Sequence, residues 1–390
     1  MTAKKEWIIY ISLLILSLTV ISFYGGAVSY GFFFITILIP IISLIYVLCV
    51  FATFKVYQEI GSRNIVADNS TPYYFILQNE SFFSYAGIRV VFHSELSTVE
   101  DIPDTGYFEL IPGDKYRYET SLRCKYRGEY EVGIKEIMIT DFLGLLRLTF
   151  PVKEAKRVIV SPKYICPSEI KSVPDIDSLI MNSRSDETSE PDILTREYIA
   201  GDPLKQINWK ASARAMKLMT KKMAAPEKRG ISVILDTGRY DTDPCNYLRF
   251  ENKALEILLS LVFYLAEKNT ENRICCSDNG PVIRDIYDIR EFDEFYSEVS
   301  LIRFDKDNSI EHHIEDDFLK GAVYGRRIIF LILLKGSAEI IEKAGRLSDE
   351  NTLLIIYLVT DEDISDLYDM ETPCLRIIRA DPSEDTEVIL

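Results

Sequence analysis

The chain opens on an unbroken apolar run. No charged side chain lies between Glu6 and Lys55, and a helix crossing a bilayer needs about 20 apolar residues, so the run predicts two spans. The segment YGGAVSYG, Tyr24–Gly31, has the glycines, serine and tyrosines of a tight interfacial turn. It divides the run into Trp7–Phe23 and Phe32–Phe54. Lys4 and Lys5 precede the first span, Lys55 and Arg63 follow the second, and the turn is uncharged. Basic flanks at both outer ends put both termini, and everything after Lys55, on the cytoplasmic side of the plasma membrane, with the bilayer contacting residues 7–54. A cleaved signal peptide fits less well, because the first run is long, lacks a small-residue cleavage site and is followed at once by a second span.

After this hairpin (1–59) the pattern changes to period two. In YRYETSLRCKY, the residues Tyr116, Tyr118, Thr120, Leu122, Cys124 and Tyr126 share one face, as a half-buried strand requires. RGEYEVGIKEIMITD and RVIVSP read alike, and the breaks PGDK and YRGEY suit turns between antiparallel strands. Residues 60–166 therefore predict a small antiparallel β domain, a sandwich or a barrel. The stretch 167–195, rich in Ser, Asp, Glu and Pro, has the composition of an acidic flexible linker. From 196 to 390 strands alternate with helices. ISVILD, RRIIFLILL and NTLLIIYLV are continuous apolar strands, and YLRFENKALEILLSLVFYLAEKN is a long helix with an apolar stripe. RICCSDNGPVIRDI reads as two strands joined at Asn279-Gly280, followed by a helix over Ile289–Val299. The expectation is a mostly parallel sheet with helices on both faces and one antiparallel edge strand, Asp236 standing at a strand's carboxyl end, where such folds bind ligands.

Composition removes several functions. With 390 residues, 47% of them hydrophobic, the chain has material for more than one core, and a net charge of −16 repels nucleic acid. The seven cysteines are scattered, without a Cys-x-x-Cys pair, and read as buried thiols in a reducing compartment. No glycine-rich phosphate loop, Gly-x-Ser-x-Gly or His-Glu-x-x-His motif is present. His93 is isolated, and His312-His313 sit in an acidic loop. No catalytic constellation and no cofactor are expected.

Against this acidic background, REYIAGDPLKQINWKASAR, Arg196–Arg214, is the one sizeable basic stretch. Gly201 permits a turn, Asp202 caps a helix and Pro203 takes its first position. Along that helix Leu204, Ile207, Ala211 and Ala215 share a face, and Lys210, Arg214 and Lys217 follow one another on the adjacent one. An apolar seam thus runs beside a basic stripe, while Trp209, next to Asn208, points elsewhere. Two readings stand: Trp209 and Arg196 pin the helix to the β domain, or the stretch is a binding surface.

Arg196, Tyr198, Gly201 and Asp202, then Ile207, Trp209 and Arg214, resemble the Arg-x-Tyr-x-x-Gly-Asp, Ile-x-Trp and Ala-Arg signature of the domain-of-unknown-function family numbered fifty-eight. The likeness runs from about Lys125 onward, and the two-span N-terminus also fits. It implies a membrane-anchored α+β multidomain protein whose C-terminal α/β domain is similar to a von Willebrand factor type A (Rossmann-like) domain. It also implies partners, a MoxR-type AAA+ ATPase and transglutaminase-like membrane proteins. Many von Willebrand A domains hold a divalent metal through Asp-x-Ser-x-Ser. Here the matching positions are Asp236, Gly238 and Tyr240, and Lys335 stands where a further acidic ligand would help. One aspartate is too few for a hard cation, so the site reads as degenerate and empty of metal. The function expected is a scaffold or adaptor working with the ATPase in assembly or maturation of membrane or envelope complexes. Its interaction surface is Arg196, Tyr198, Gly201, Asp202, Ile207, Asn208, Trp209, Lys210, Arg214 and Lys217. The alternative is a hydrolase or phosphate-ligand enzyme gathering Arg196, Asp202 and Arg214 in a cleft.

Overall fold

A computed structural model describes residues 2–62, 64–102, 107–152, 155–171, 173, 176, 178, 194–199, 207–222, 230–277, 281–310, 321, 323–347 and 352–390. The chain forms two compact units, Met1–Ser161 and Pro162–Leu390.

The first unit begins with α1 (Thr2–Tyr24) and α2 (Ala27–Thr53), within which Lys5–Tyr24 and Ala27–Thr53 are long and apolar enough to cross a membrane. The turn between them is tighter than the eight-residue loop expected from Tyr24–Gly31. Gly25 and Gly26, at φ 58° and 91°, reverse the chain alone, and Ala27–Gly31 already belong to α2. Pro40 interrupts α2 and offers no N–H to the Thr36 carbonyl. That carbonyl instead accepts the Tyr10 hydroxyl of α1 at 3.3 Å, satisfying an orphaned polar group in an apolar setting.

From Thr53 the chain passes directly into β1 (Phe54–Ile60). There follow β2 (Asn64–Val66), β3 (Ser70–Asn79), β4 (Tyr85–Phe92), β5 (Ser97–Val99), β6 (Tyr107–Leu110), β7 (Lys115–Cys124), β8 (Gly128–Val132), β9 (Ile134–Thr140), β10 (Arg147–Pro151) and β11 (Lys156–Ser161). They form sheets in the orders β1-β3-β7-β5, β10-β9-β4-β6 and β2-β11-β8. The buried faces enclose one core of Tyr73, Phe75, Leu77, Ile88, Leu122 and Ile137 among others. Alternation holds along β7, where Leu122 and Cys124 are buried and Arg123 is exposed, but Tyr116 at its outer end is exposed. Phe75 pairs with Tyr118 across β3 and β7, their rings stacked 5.0 Å apart.

The second unit opens on Tyr164, Ile170, Val173 and Ile176, which pack into its main core. Linker composition alone did not predict this. The three apolar residues recur every third position, and short turns (Val173 N–H to Ile170 O, Ile176 N–H to Val173 O, both 3.3 Å) align them on one side. Residues 179–193 of the expected linker lie outside the described residues. A two-stranded ladder of β12 (Leu194–Glu197) and β13 (Met219–Lys222) brackets α3 (Trp209–Ala215).

The central sheet has six strands: β14 (Ile231–Leu235), β15 (Asn272–Ser277), β16 (Pro281–Ile286), β17 (Ile328–Leu333), β18 (Leu353–Val359) and β19 (Leu375–Ala380), in the order β16-β15-β14-β17-β18-β19. Only the edge strand β16 is antiparallel. Every residue of β14 and β17 is buried, as strands covered on both faces must be. The flanking helices are α4 (Pro244–Glu267), α5 (Ile289–Val299), α6 (Ala338–Gly345), α7 (Ser365–Tyr368) and α8 (Thr386–Ile389). The β15–β16 hairpin pairs as expected, although its Asn279-Gly280 turn lies outside the described residues.

Candidate functional site

Counted from its own first strand, the sheet order is third, second, first, fourth, fifth, sixth, a doubly wound arrangement whose order reverses between β14 and β17. Crevices form beyond the strand ends at such a point, and here there is a cleft of about 700 Å³ bordered by Tyr240, Lys335, Asp241, Asp361, Asp363 and Asp366. Asp236, one residue past β14, is fully buried and bonded to Gly238, Tyr240 and Leu334, which line the cleft.

The Asp236 carboxylate is turned inward and occupied by the protein itself. Oδ1 accepts the backbone N–H of Gly238 (3.0 Å) and Ile310 (3.1 Å). Oδ2 accepts the Tyr240 hydroxyl (2.9 Å) and the N–H of Leu334 (3.4 Å). Burial pushes this carboxyl up from its ordinary range, and the four donors pull it back. Tyr240 also shares a hydrogen bond of 2.7 Å with Ser309. Gly238 and Tyr240 are coupled: a Cβ on Gly238 would lie 2.8 Å from the Tyr240 hydroxyl and 2.9 Å from the Ser309 Cα. The tyrosine reaches the aspartate through space that only glycine leaves open. Lys335 stands 5.4 Å from the Tyr240 ring, over its face, and no group of three or more His, Cys, Asp or Glu side chains suited to a metal occurs among the described residues. The donor set at Asp236 is that of a staple tying β14 to the segments after β17 and before residue 311. Beside it Arg239 forms a two-pronged ion pair with buried Glu251 (2.7 and 3.1 Å) and lies 4.0 Å over the Tyr247 ring.

The signature stretch is built differently from its sequence expectation. Among the described residues the helix begins at Trp209. Ile207 is buried and bridges to Thr220 in an extended conformation, so the chain is still strand-like there. Asn208 caps the helix, its side chain accepting the Ala211 N–H at 3.2 Å. Gly201 and Asp202, like Leu204, lie outside the described residues. The expected apolar seam is therefore absent from α3: Ile207 precedes it and Ala215 is exposed. Ser212 ties the helix to β13, donating to the Asn208 carbonyl (2.8 Å) and accepting the Met219 N–H (2.8 Å). Met216 ends the helix in the left-handed conformation at φ 53°.

Trp209 is 68% exposed. Lys210 and Arg214, four apart on α3, are exposed, and Lys217 lies beyond the helix end, paired with Glu197 at 2.9 Å. Met216 is 92% exposed, with Ile199 and Leu218 also open to solvent. Tyr198 is half-buried, its N–H donating to the Leu218 carbonyl. Arg196 stands on β12 opposite Thr220. The result is an exposed aromatic, thioether and basic surface, with Arg214 open to solvent. Sequence reasoning placed Asn208 in the surface but missed its capping role, and it missed the exposed Met216. Asn208 had a legible signal, an Asx residue three positions before a helical N–H.

The fold is thus mixed α and β: two apolar N-terminal helices, several sheets that are antiparallel except where β2 pairs in parallel with β11, and a doubly wound α/β unit. No family model matches the chain, and no curated protein matches it. Among solved structures, the SpRpn10 von Willebrand A domain aligns at 12% identity, covering 42% of this chain and 94% of that one, with a TM-score of 0.29. A FixG-related protein from Vibrio parahaemolyticus aligns at 12% identity (28% and 96% covered, TM-score 0.20). The cupredoxin domain of amoB from Nitrosocaldus yellowstonii aligns at 8% (30% and 97%, TM-score 0.21). At such scores these are similarities only.

Proposed function

We propose that the chain is a membrane-anchored scaffold or adaptor whose cytosolic units dock a MoxR-type AAA+ ATPase through α3, in assembly or maturation of membrane or envelope complexes. The observation that carries this reading is the exposed Trp209–Met216 surface with Lys210 and Arg214 beside it. Large apolar groups are costly to leave in water, and Trp, Met and Arg are the residues enriched at interface cores and hot spots. The Asn208 and Ser212 bonds hold this surface in place before any partner arrives, which lowers the ordering cost of binding. Its basic character selects an acidic patch on the partner. Both spans of the hairpin with basic outer flanks support an anchor in the plasma membrane with both termini cytoplasmic. The signature resemblance supports the choice of ATPase and of transglutaminase-like membrane neighbours.

The pair Lys210→Glu and Arg214→Glu tests the docking. Both side chains are exposed, so each change is expected to alter stability by no more than about 0.5 kcal/mol. Association with the purified ATPase at low salt is expected to slow by on the order of tenfold. Unchanged association at low salt would remove α3 as the dock.

A further inference from the structure

The hairpin and the β strands of the first unit are joined by more than the chain. Two uncharged loops, residues 81–84 and 142–145, are bonded to the same level of the helices. Tyr46 of α2 donates its hydroxyl to the Ser84 carbonyl (3.1 Å) and accepts the Ala86 N–H (3.2 Å). Its ring lies 5.6 Å from both Phe83 and Phe142. Ser43 of α2 hydrogen-bonds the buried Asp141 carboxylate, which also accepts the N–H of Leu146 at 2.8 Å. Trp7 of α1 donates its indole N–H to the Leu145 carbonyl at 2.9 Å.

Depth follows from helix geometry. At 1.5 Å per residue, Trp7, Ser43 and Tyr46 stand about 26–30 Å from the Gly25-Gly26 turn. The hydrocarbon of a bilayer is about 30 Å thick. With the turn at one interface, these three residues reach the other, and so do the loops bonded to them. The loop tips are apolar: Phe82 is 90% exposed, Phe142 55% and Leu143 43%. Charged groups border them: Asp141 is buried beneath the second loop, Glu6 lies beside Gly144, and Lys55 pairs with Glu80 at 2.6 Å.

We propose that Phe82, Phe142 and Leu143 insert into the headgroup and upper acyl region of the leaflet that the helices exit, so that the β unit lies against the membrane in one orientation. The occupant is lipid because the tips continue the apolar surface of α2 through Tyr46 and sit at interfacial depth, where aromatic side chains partition well. This rests on the reading that α1 and α2 span the bilayer.

The test uses the full chain carrying Trp209→Phe in lipid nanodiscs, with one added tryptophan, Phe82→Trp, Phe142→Trp or Ile15→Trp. The Trp7 signal of the Trp209→Phe parent is subtracted. Lipids are brominated either near the head or near the end of the acyl chain. The emission that remains for Phe82→Trp or Phe142→Trp reports the loop alone: it is expected to lose most of its intensity with the shallow bromines and little with the deep ones. The Ile15→Trp probe, at mid-span, is expected to show the reverse. Loop probes unquenched by either lipid, with the mid-span probe quenched, would overturn the insertion and leave the spanning reading intact, including the case where a blue-shifted emission shows them covered by protein. All three unquenched would show that the spanning reading itself fails and the insertion with it.

Discussion

Replacing Asp236 with alanine is expected to destabilise the second unit by roughly 3–5 kcal/mol, because each buried donor left without its acceptor costs about 1–3 kcal/mol and the losses do not simply add. Four donors converge on that carboxylate: the N–H groups of Gly238, Ile310 and Leu334 and the Tyr240 hydroxyl. For a unit of this size the melting temperature should fall by roughly 6–20 °C. Asp236→Asn keeps one acceptor oxygen for Gly238 and Ile310 and should lose less. Thermal unfolding of the full chain in detergent, followed by near-ultraviolet circular dichroism, checks both. A metal-ligand aspartate behaves differently. If Asp236→Ala left stability unchanged but abolished saturable magnesium or manganese binding, the staple would be a misreading.

The second large effect belongs to the first unit. Gly133 joins β8 to β9 with φ at +81°, and a Cβ there would lie 2.4 Å from Gln58 Oε1 and 3.0 Å from the Tyr73 hydroxyl. Gln58 Oε1 is the shared acceptor of a buried network, taking the Tyr73 hydroxyl at 2.9 Å and the Ile134 N–H at 3.0 Å. Gly133→Ala therefore combines a left-handed backbone, at about 1–2 kcal/mol, with displacement of that acceptor. A loss of about 3 kcal/mol or more is expected from the two together, along with faster hydrogen exchange at the Ile134 amide. Gly113→Ala serves as the control: it also has a positive φ but nothing within 4 Å of its added Cβ, so it should cost only the backbone part.

These two sites show what periodicity reveals and what it hides. The apolar runs of β14, β17 and β18 and the antiparallel edge at β16 were legible because burial on both faces, or a tight turn, leaves a local mark. Asp236 was legible as a strand-end carboxylate, and the missing serines as a departure from the metal pattern. Its donors were not, because Ile310 and Leu334 lie 74 and 98 residues further along the chain. The helix start shows the same limit at shorter range. Asn208 caps α3, and the Ile207–Thr220 bridge, a tertiary contact that no local pattern marks, keeps the chain extended up to it. Trp209 likewise has the composition of a core residue, and only the packing of α3 on β13 shows which side of the helix is covered.

The central claim is that the face bearing Trp209 and Met216 is where a partner sits. A photo-crosslinking amino acid placed at position 209, 216 or 366 of the full chain in its native membrane, followed by irradiation and identification of the adducts, tests it most directly. Position 366 borders the cleft at the carboxyl end of the sheet and serves as the comparison. The account predicts adducts with a AAA+ ATPase from 209 and 216 and none from 366; adducts with that ATPase from 366 alone, or from none of the three, would contradict it.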